Sequence, residues 1–175
     1  MCTIFRATAG FLRDVRQDLR RRHAFAAERV GFITVKATQA QGQIVLLAHG
    51  YHPVADDDYI DDPRVGAMMG QDAIRKGLDL ALLENVGIFH VHEHGHKGRP
   101  RFSDVDLTEQ VKFVPDFFKV RAEMPHGAIV LSHDRAAGRV WLAPQTVEEI
   151  REFNAVGPRT LFDRIKAVVG VGTTK

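Results

Sequence analysis

The run 86–96, Val-Gly-Ile-Phe-His-Val-His-Glu-His-Gly-His, constrains this chain more than any other stretch. Its first half, 86–92, is strongly apolar and reads as a strand. His90 and His92 are two apart, so on a strand both imidazoles leave from one face. His94 and His96 keep the alternation but lie beyond the apolar run, beside Gly95 and Gly98, and read as exposed loop residues. Contact with a substrate or with the surroundings of a metal is their sharper reading. Four of the nine histidines fall in the seven positions 90–96, so function is to be sought here.

The rest of the chain alternates strand and helix patterns without strict βαβ order. Residues 3–8 predict a short edge strand, and 10–26 an amphipathic helix through Phe11, Leu12, Val15 and Leu19. Segments 31–37 and 43–49 predict strands joined by a turn at Gln41-Gly42. Residues 53–64 carry Asp56, Asp57, Asp58, Asp61 and Asp62 and read as a loop. Helical spacing returns over 68–85, just before the histidine strand. Another helix starts at Ser103, with Leu107, Val111 and Val114 on one face. Segments 128–132 and 139–143 predict a hairpin, while 148–153 and 160–169 are ambiguous.

This pattern predicts one α+β domain over 1–175, with helices flanking one curved sheet. Apolar residues make up 45% of the 175, enough for a core. Lys plus Arg is 24 against 22 for Asp plus Glu, a balance that gives no case for a nucleic-acid partner. No stretch approaches the ~20 apolar residues of a membrane span, and 1–6 lacks the apolar core of a signal peptide. The single cysteine, Cys2, excludes an intrachain disulfide and a Cys-based zinc finger, and fits a reducing, cytoplasmic setting.

Two same-face imidazoles can hold one metal ion. A catalytic zinc site commonly adds a third protein ligand and leaves the fourth position to water. Asp106, on the first turn of the helix after the loop, is the best third ligand, and Asp104 competes with it. Ser103-x-x-Asp106 also matches a helix N-terminal capping pattern, which would itself hold Asp106 in place. Two His and a carboxylate suit iron or manganese as well as zinc. His49, His52, His126 and His133 show no partner in sequence. Ser132-His133-Asp134 is no hydrolase triad, because adjacent strand residues point apart. The glycines of 170–175 precede no helix, which removes a phosphate loop.

The segment Gly87-Ile88-Phe89-His90-Val91-His92, followed by Ser103-Asp104-Val105-Asp106, resembles the JAMM motif of the JAB/MPN metalloproteases: His-x-His, then Ser-x-x-Asp, with an upstream Glu. Glu28 in Glu28-Arg29-Val30-Gly31 is similar to the family's Glu-x-x-Gly strand opening. The chain order agrees over roughly 10–145. The gap between His92 and Asp106 is three residues longer than the family's, which reads as an extension of loop 93–102.

The resemblance implies a single JAB/MPN-like domain with a cytidine-deaminase-like arrangement and one Zn²⁺ per chain on His90, His92 and Asp106. It implies a hydrolase in which Glu28 assists attack by a zinc-bound water and Ser103 donates a hydrogen bond to the oxyanion. The implied reaction is isopeptide or peptide cleavage after the C-terminal glycine of a ubiquitin-like or sulfur-carrier-like protein. Implied partners are that protein, its conjugates, and activating or conjugating enzymes of the same pathway, some of which serve antiviral defence. An inactive MPN-type binding module, a hydrolase for a small peptide or amino-acid adduct, and a metalloenzyme on a β-barrel are the rival readings. Arg20-Arg21-Arg22 reads as a solvated helix face. The acidic segment 56–62 reads as a solubilising loop, or as a binder of an arginine-bearing tail.

Overall fold

A computed structural model of the chain describes residues 2–157. The ambiguous segment 160–169 and the tail 170–175 lie outside them. The described elements are β1 (Cys2–Thr8), α1 (Ala9–Leu19), β2 (Val30–Ala40), β3 (Gln43–Pro53), α2 (Gln71–Glu84), β4 (Gly87–Glu93), α3 (Asp104–Phe113), β5 (His126–Leu131), β6 (Ala136–Ala143), β7 (Thr146–Glu149) and β8 (Glu152–Val156). Short 3₁₀ turns occupy Asp56–Asp58 and Val114–Lys119. The eight strands form one mixed sheet in the order β7-β6-β5-β4-β2-β3-β1-β8. With its three helices this is an α+β fold, and an all-β barrel is excluded. Among the described residues no helix is long and apolar enough to cross a membrane.

The hairpin β2–β3 forms where the turn residues allow it. Gln41 and Gly42 both take positive φ, 51° and 76°. Two left-handed residues give the turn twist that antiparallel strands need. Strand β1 is not the edge that its sequence predicts. It lies between β3 and β8, parallel to both. The edge strand β8, Glu-Phe-Asn-Ala-Val, is too short and polar to announce itself by hydrophobic alternation.

The sheet curls until its two ends approach. Gly138 on β6 lets this happen, since a Cβ there would lie 2.8 Å from Ile150 Cδ1 and 2.9 Å from Phe153 Cζ. The Ile150 N–H donates to the Gly138 carbonyl at 2.8 Å. The core under α1 collects Phe5, Val15, Leu19, Ile33, Phe89, Val91, Ile129 and Leu131. The opposite face, under α2 and the second 3₁₀ turn, collects Val30, Phe32, Ala73, Ala81, Ile88 and Phe117.

Helix α1 stops at Leu19, not at residue 26. The buried Arg29 guanidinium explains this. It donates to the Arg21 carbonyl at 2.9 Å and to the Arg22 carbonyl at 3.0 Å, and it pairs with Asp56 at 2.7 Å. Carbonyls turned towards Arg29 are not aligned for a continuing helix. Nor is the arginine run simply a solvated face. Arg20 forms a two-bond pair with the buried Glu93 carboxylate, at 2.8 and 2.6 Å.

The acidic segment is likewise occupied from within. Asp56 pairs with Arg29, Asp58 with Lys76 and Asp62 with Arg64. Three of its five carboxylates thus have partners within the chain. Helix α3 also departs from its expected face. Leu107 and Val111 are exposed, while Gln110 and Val114 are buried. The helix lies along a cleft, so its apolar spacing does not point into a core.

His126 has partners that no local pattern shows. It is buried at the start of β5, stacked on Phe117 with ring centroids 5.4 Å apart. Its Nδ1 accepts the Ile88 N–H at 3.1 Å, so the proton sits on Nε2 and is donated to the Arg121 carbonyl at 2.9 Å. Burial pushes its pKa down to about 4, against the bond to Arg121. An unfolded histidine titrates near ~6.5, so acid protonates the unfolded chain first. Stability contributed by neutral His126 is therefore present above that value and lost as pH falls through the folded pKa, by up to about 3 kcal/mol. In an NMR titration the His126 ring signals should stay at their neutral position until pH approaches about 4. A transition near the unfolded value would contradict this account.

Candidate metal centre

Strand β4 places the site. Phe89 and Val91 enter the core beneath α1, while Ile88 enters the opposite core. His90 and His92 share the Ile88 face by strand alternation. Pairing of β4 with β2 is antiparallel, with Val30 opposite His92 and Phe32 opposite His90. Continued two residues past the start of β2, this register sets Glu28 opposite His94. The Glu28 N–H is tied to the Gly66 carbonyl at 3.0 Å, and the His94 N–H donates to the Leu131 carbonyl at 2.9 Å. The second bond extends the β4–β5 ladder one residue beyond the strand.

Helix α3 brings the carboxylate. Ser103 is its N-cap and forms a reciprocal capping box with Asp106. Asp106 N–H donates to Ser103 Oγ at 3.1 Å, and Asp106 Oδ2 accepts from both the Ser103 N–H and its hydroxyl, each at 2.8 Å. The same Oδ2 lies 3.6 Å from His92 Nε2. The capping and ligand readings thus coexist. The Ser103 hydroxyl proton is directed at Asp106, so in this arrangement Ser103 orients that carboxylate. Asp104 is exposed and does not line the cleft, which leaves Asp106 as the carboxylate in reach.

All five anticipated residues, Glu28, His90, His92, Ser103 and Asp106, line one cleft of ≈ 570 Å³ with His94. Val65, Met68, Met69 and Ile74 form an apolar wall, and Glu109 and Asp116 lie on the α3 side. The closest metal-ligating cluster among the described residues is Glu28, His92 and His94, whose ligand atoms all lie within 4.8 Å of one another. His92 Nε2 and His94 Nε2 are 3.2 Å apart, and His94 Nε2 is 4.0 Å from Glu28 Oε1. His90 sits beside this cluster, its ring centroid 5.6 Å from that of His92 and edge-on to Phe113.

These donors suit a metal ion. With metal–nitrogen bonds of ~2.0–2.1 Å, neighbouring ligands at a tetrahedral centre stand about 3.3 Å apart. The distances from His92 to His94 and to Asp106, 3.2 and 3.6 Å, lie close to that edge. Burial pushes His90 down to about 3 and also lowers His92, so both rings are neutral at pH 7 with a lone pair free for a ligand bond. The buried Nδ1 atoms of both rings have no hydrogen-bond partner. Burial works to raise Asp106, but the attraction of His92, the Ser103 bonds and His90 outweigh it, and its pKa falls. Glu28 moves the other way. Burial raises it, opposed by His94 and assisted by Asp106.

Comparison with protein-family models gives no match, and comparison with curated proteins gives none, so the assignment of this site rests on its residues. His94 is the residue that sequence pattern underrated. Its signal was the unbroken alternation His90, His92, His94, and what turned it inward is the extra ladder bond to Leu131. The remainder of the loop goes elsewhere. Gly98, at φ 92°, donates its N–H to Asp134 at 2.8 Å, and Ser132 Oγ donates to the Gly98 carbonyl at 2.7 Å. The middle of the loop, at Gly98, thus reaches the β5–β6 turn while His94 and Ser103, near its two ends, stay in the cleft.

Ser103→Ala removes the hydroxyl half of the capping box. A destabilisation of about 1 kcal/mol in urea unfolding is expected. An unchanged midpoint would mean that the cap does not hold α3.

Proposed function

We propose that this chain is a zinc-dependent hydrolase of the JAB/MPN type, cleaving an isopeptide or peptide bond after the C-terminal glycine of a ubiquitin-like protein. The observation that carries this reading is the approach of Asp106 Oδ2 to within 3.6 Å of His92 Nε2 from a separate element, with Glu28 in the same cleft. His90, His92 and Asp106 would hold the ion. When bound, the ion supplies Lewis acidity, which makes a water acidic near neutral pH and polarises a carbonyl.

The chain's own residues supply the rest. Glu28, its pKa raised by burial, takes a proton from the attacking water and returns it to the leaving amine nitrogen. Asp106 is oriented by Ser103 through two bonds, both to Oδ2, which hold the carboxylate facing the histidines. The apolar wall of Met68, Met69 and Ile74 excludes water from one side of the reacting group and offers an extended tail a surface. No nucleophilic side chain is required, and no covalent intermediate forms.

Purified protein should take up about one zinc per chain, and His92→Ala should take up none. Glu28→Gln should keep the metal yet lose cleavage of a ubiquitin-like protein fused through its C-terminal glycine by about 10²-fold or more. Cleavage by Glu28→Gln at the parent rate would remove the general base from this account. Failure of the parent protein to bind any metal would remove the hydrolase.

A further inference from the structure

We propose that His94 is a fourth protein ligand, closing the ion's open position in the resting chain and swinging out to admit substrate. This rests on the metal-centre reading above. Three protein ligands leave room for water, whereas four make a closed site. His94 supplies the fourth from the strand that already carries two.

Its backbone is fixed in strand register, and its ring meets His92, Glu28 and His96. The N–H bond to Leu131 at 2.9 Å holds the main chain in strand register, and that register returns the ring to the face of His90 and His92. Its Nε2 stands 3.2 Å from His92 Nε2, the spacing of two ligands on one small cation. Nothing else grips the ring tightly. Its nearest carboxylate is Glu28 at 4.0 Å, and the His96 ring centroid is 5.8 Å away. On this proposal a rotamer change at His94 carries the imidazole out of the cleft without moving β4. Because Glu28 Oε1 lies beside His94 Nε2, the departing ring vacates the space next to the base.

Cobalt(II) replacing zinc makes the coordination visible, and chelator competition gives the affinity. In the parent protein the cobalt spectrum should be that of a closed four-coordinate site, insensitive to added azide. In His94→Ala, azide should shift the spectrum, and affinity for zinc should fall about 10–100-fold. His96→Ala, in the same loop but outside the cleft, should match the parent in both. At saturating zinc, cleavage by His94→Ala should rise severalfold. Unchanged affinity and spectrum in His94→Ala would overturn the proposal and leave the metal centre intact. So would an equal loss in His96→Ala, or a fall in cleavage to the Glu28→Gln level. A parent protein without metal would instead overturn the metal centre and this proposal together.

Discussion

Strand β4 runs between an antiparallel neighbour, β2, and a parallel one, β5, and both of its faces are covered. Everything at the site depends on the alternation that this position imposes. Phe89 and Val91 are committed to the core beneath α1. His90 and His92 are therefore held on the other face, where burial denies them protons. A one-residue slip would turn Phe89, Val91 and Glu93 towards the cleft and drive His90 and His92 into the core beneath α1, so the register is strongly specified.

The far end of β4 needs its own restraint, since the apolar run stops there. Arg20 supplies it by gripping the buried Glu93 carboxylate through two bonds. A buried carboxylate is costly without a partner, and a planar guanidinium satisfies both oxygens at once. Glu93 lies between His92 and His94, so its anchoring steadies the backbone on either side of it. The early end of α1 serves the same neighbourhood. By turning the chain at Arg21 and Arg22 towards Arg29, it starts the segment that delivers Glu28 to the cleft.

Much of this was legible from local pattern. The β2–β3 turn at Gln41-Gly42, the helix before the histidine strand and the β5–β6 hairpin all follow from spacing and turn residues. So does the same-face pairing of His90 and His92. Ser103-x-x-Asp106 was legible as a cap, and its reach to His92 at 3.6 Å agrees with a ligand role. Less legible were features set by distant partners. The end of α1 depends on Arg29, ten residues after Leu19. The acidic segment looked free because Arg29 and Lys76 lie far along the chain from Asp56 and Asp58, which they pair with. Leu107 and Val111 have helical spacing but no core opposite them, because α3 flanks a cleft.

The sequence by itself determined the periodicities: which residues alternate on β4, where the hairpins turn, and that α3 opens with a reciprocal cap. Those are short-range matters, decided by backbone sterics and hydrogen bonds between near neighbours. Only the tertiary structure decided which carboxylate meets the histidines and that His94 joins them. Those outcomes depend on the β2–β4 register, on the ladder bond to Leu131, and on a loop drawn away to Asp134. Each joins residues far apart in the chain, and no local pattern encodes a distance across a sheet.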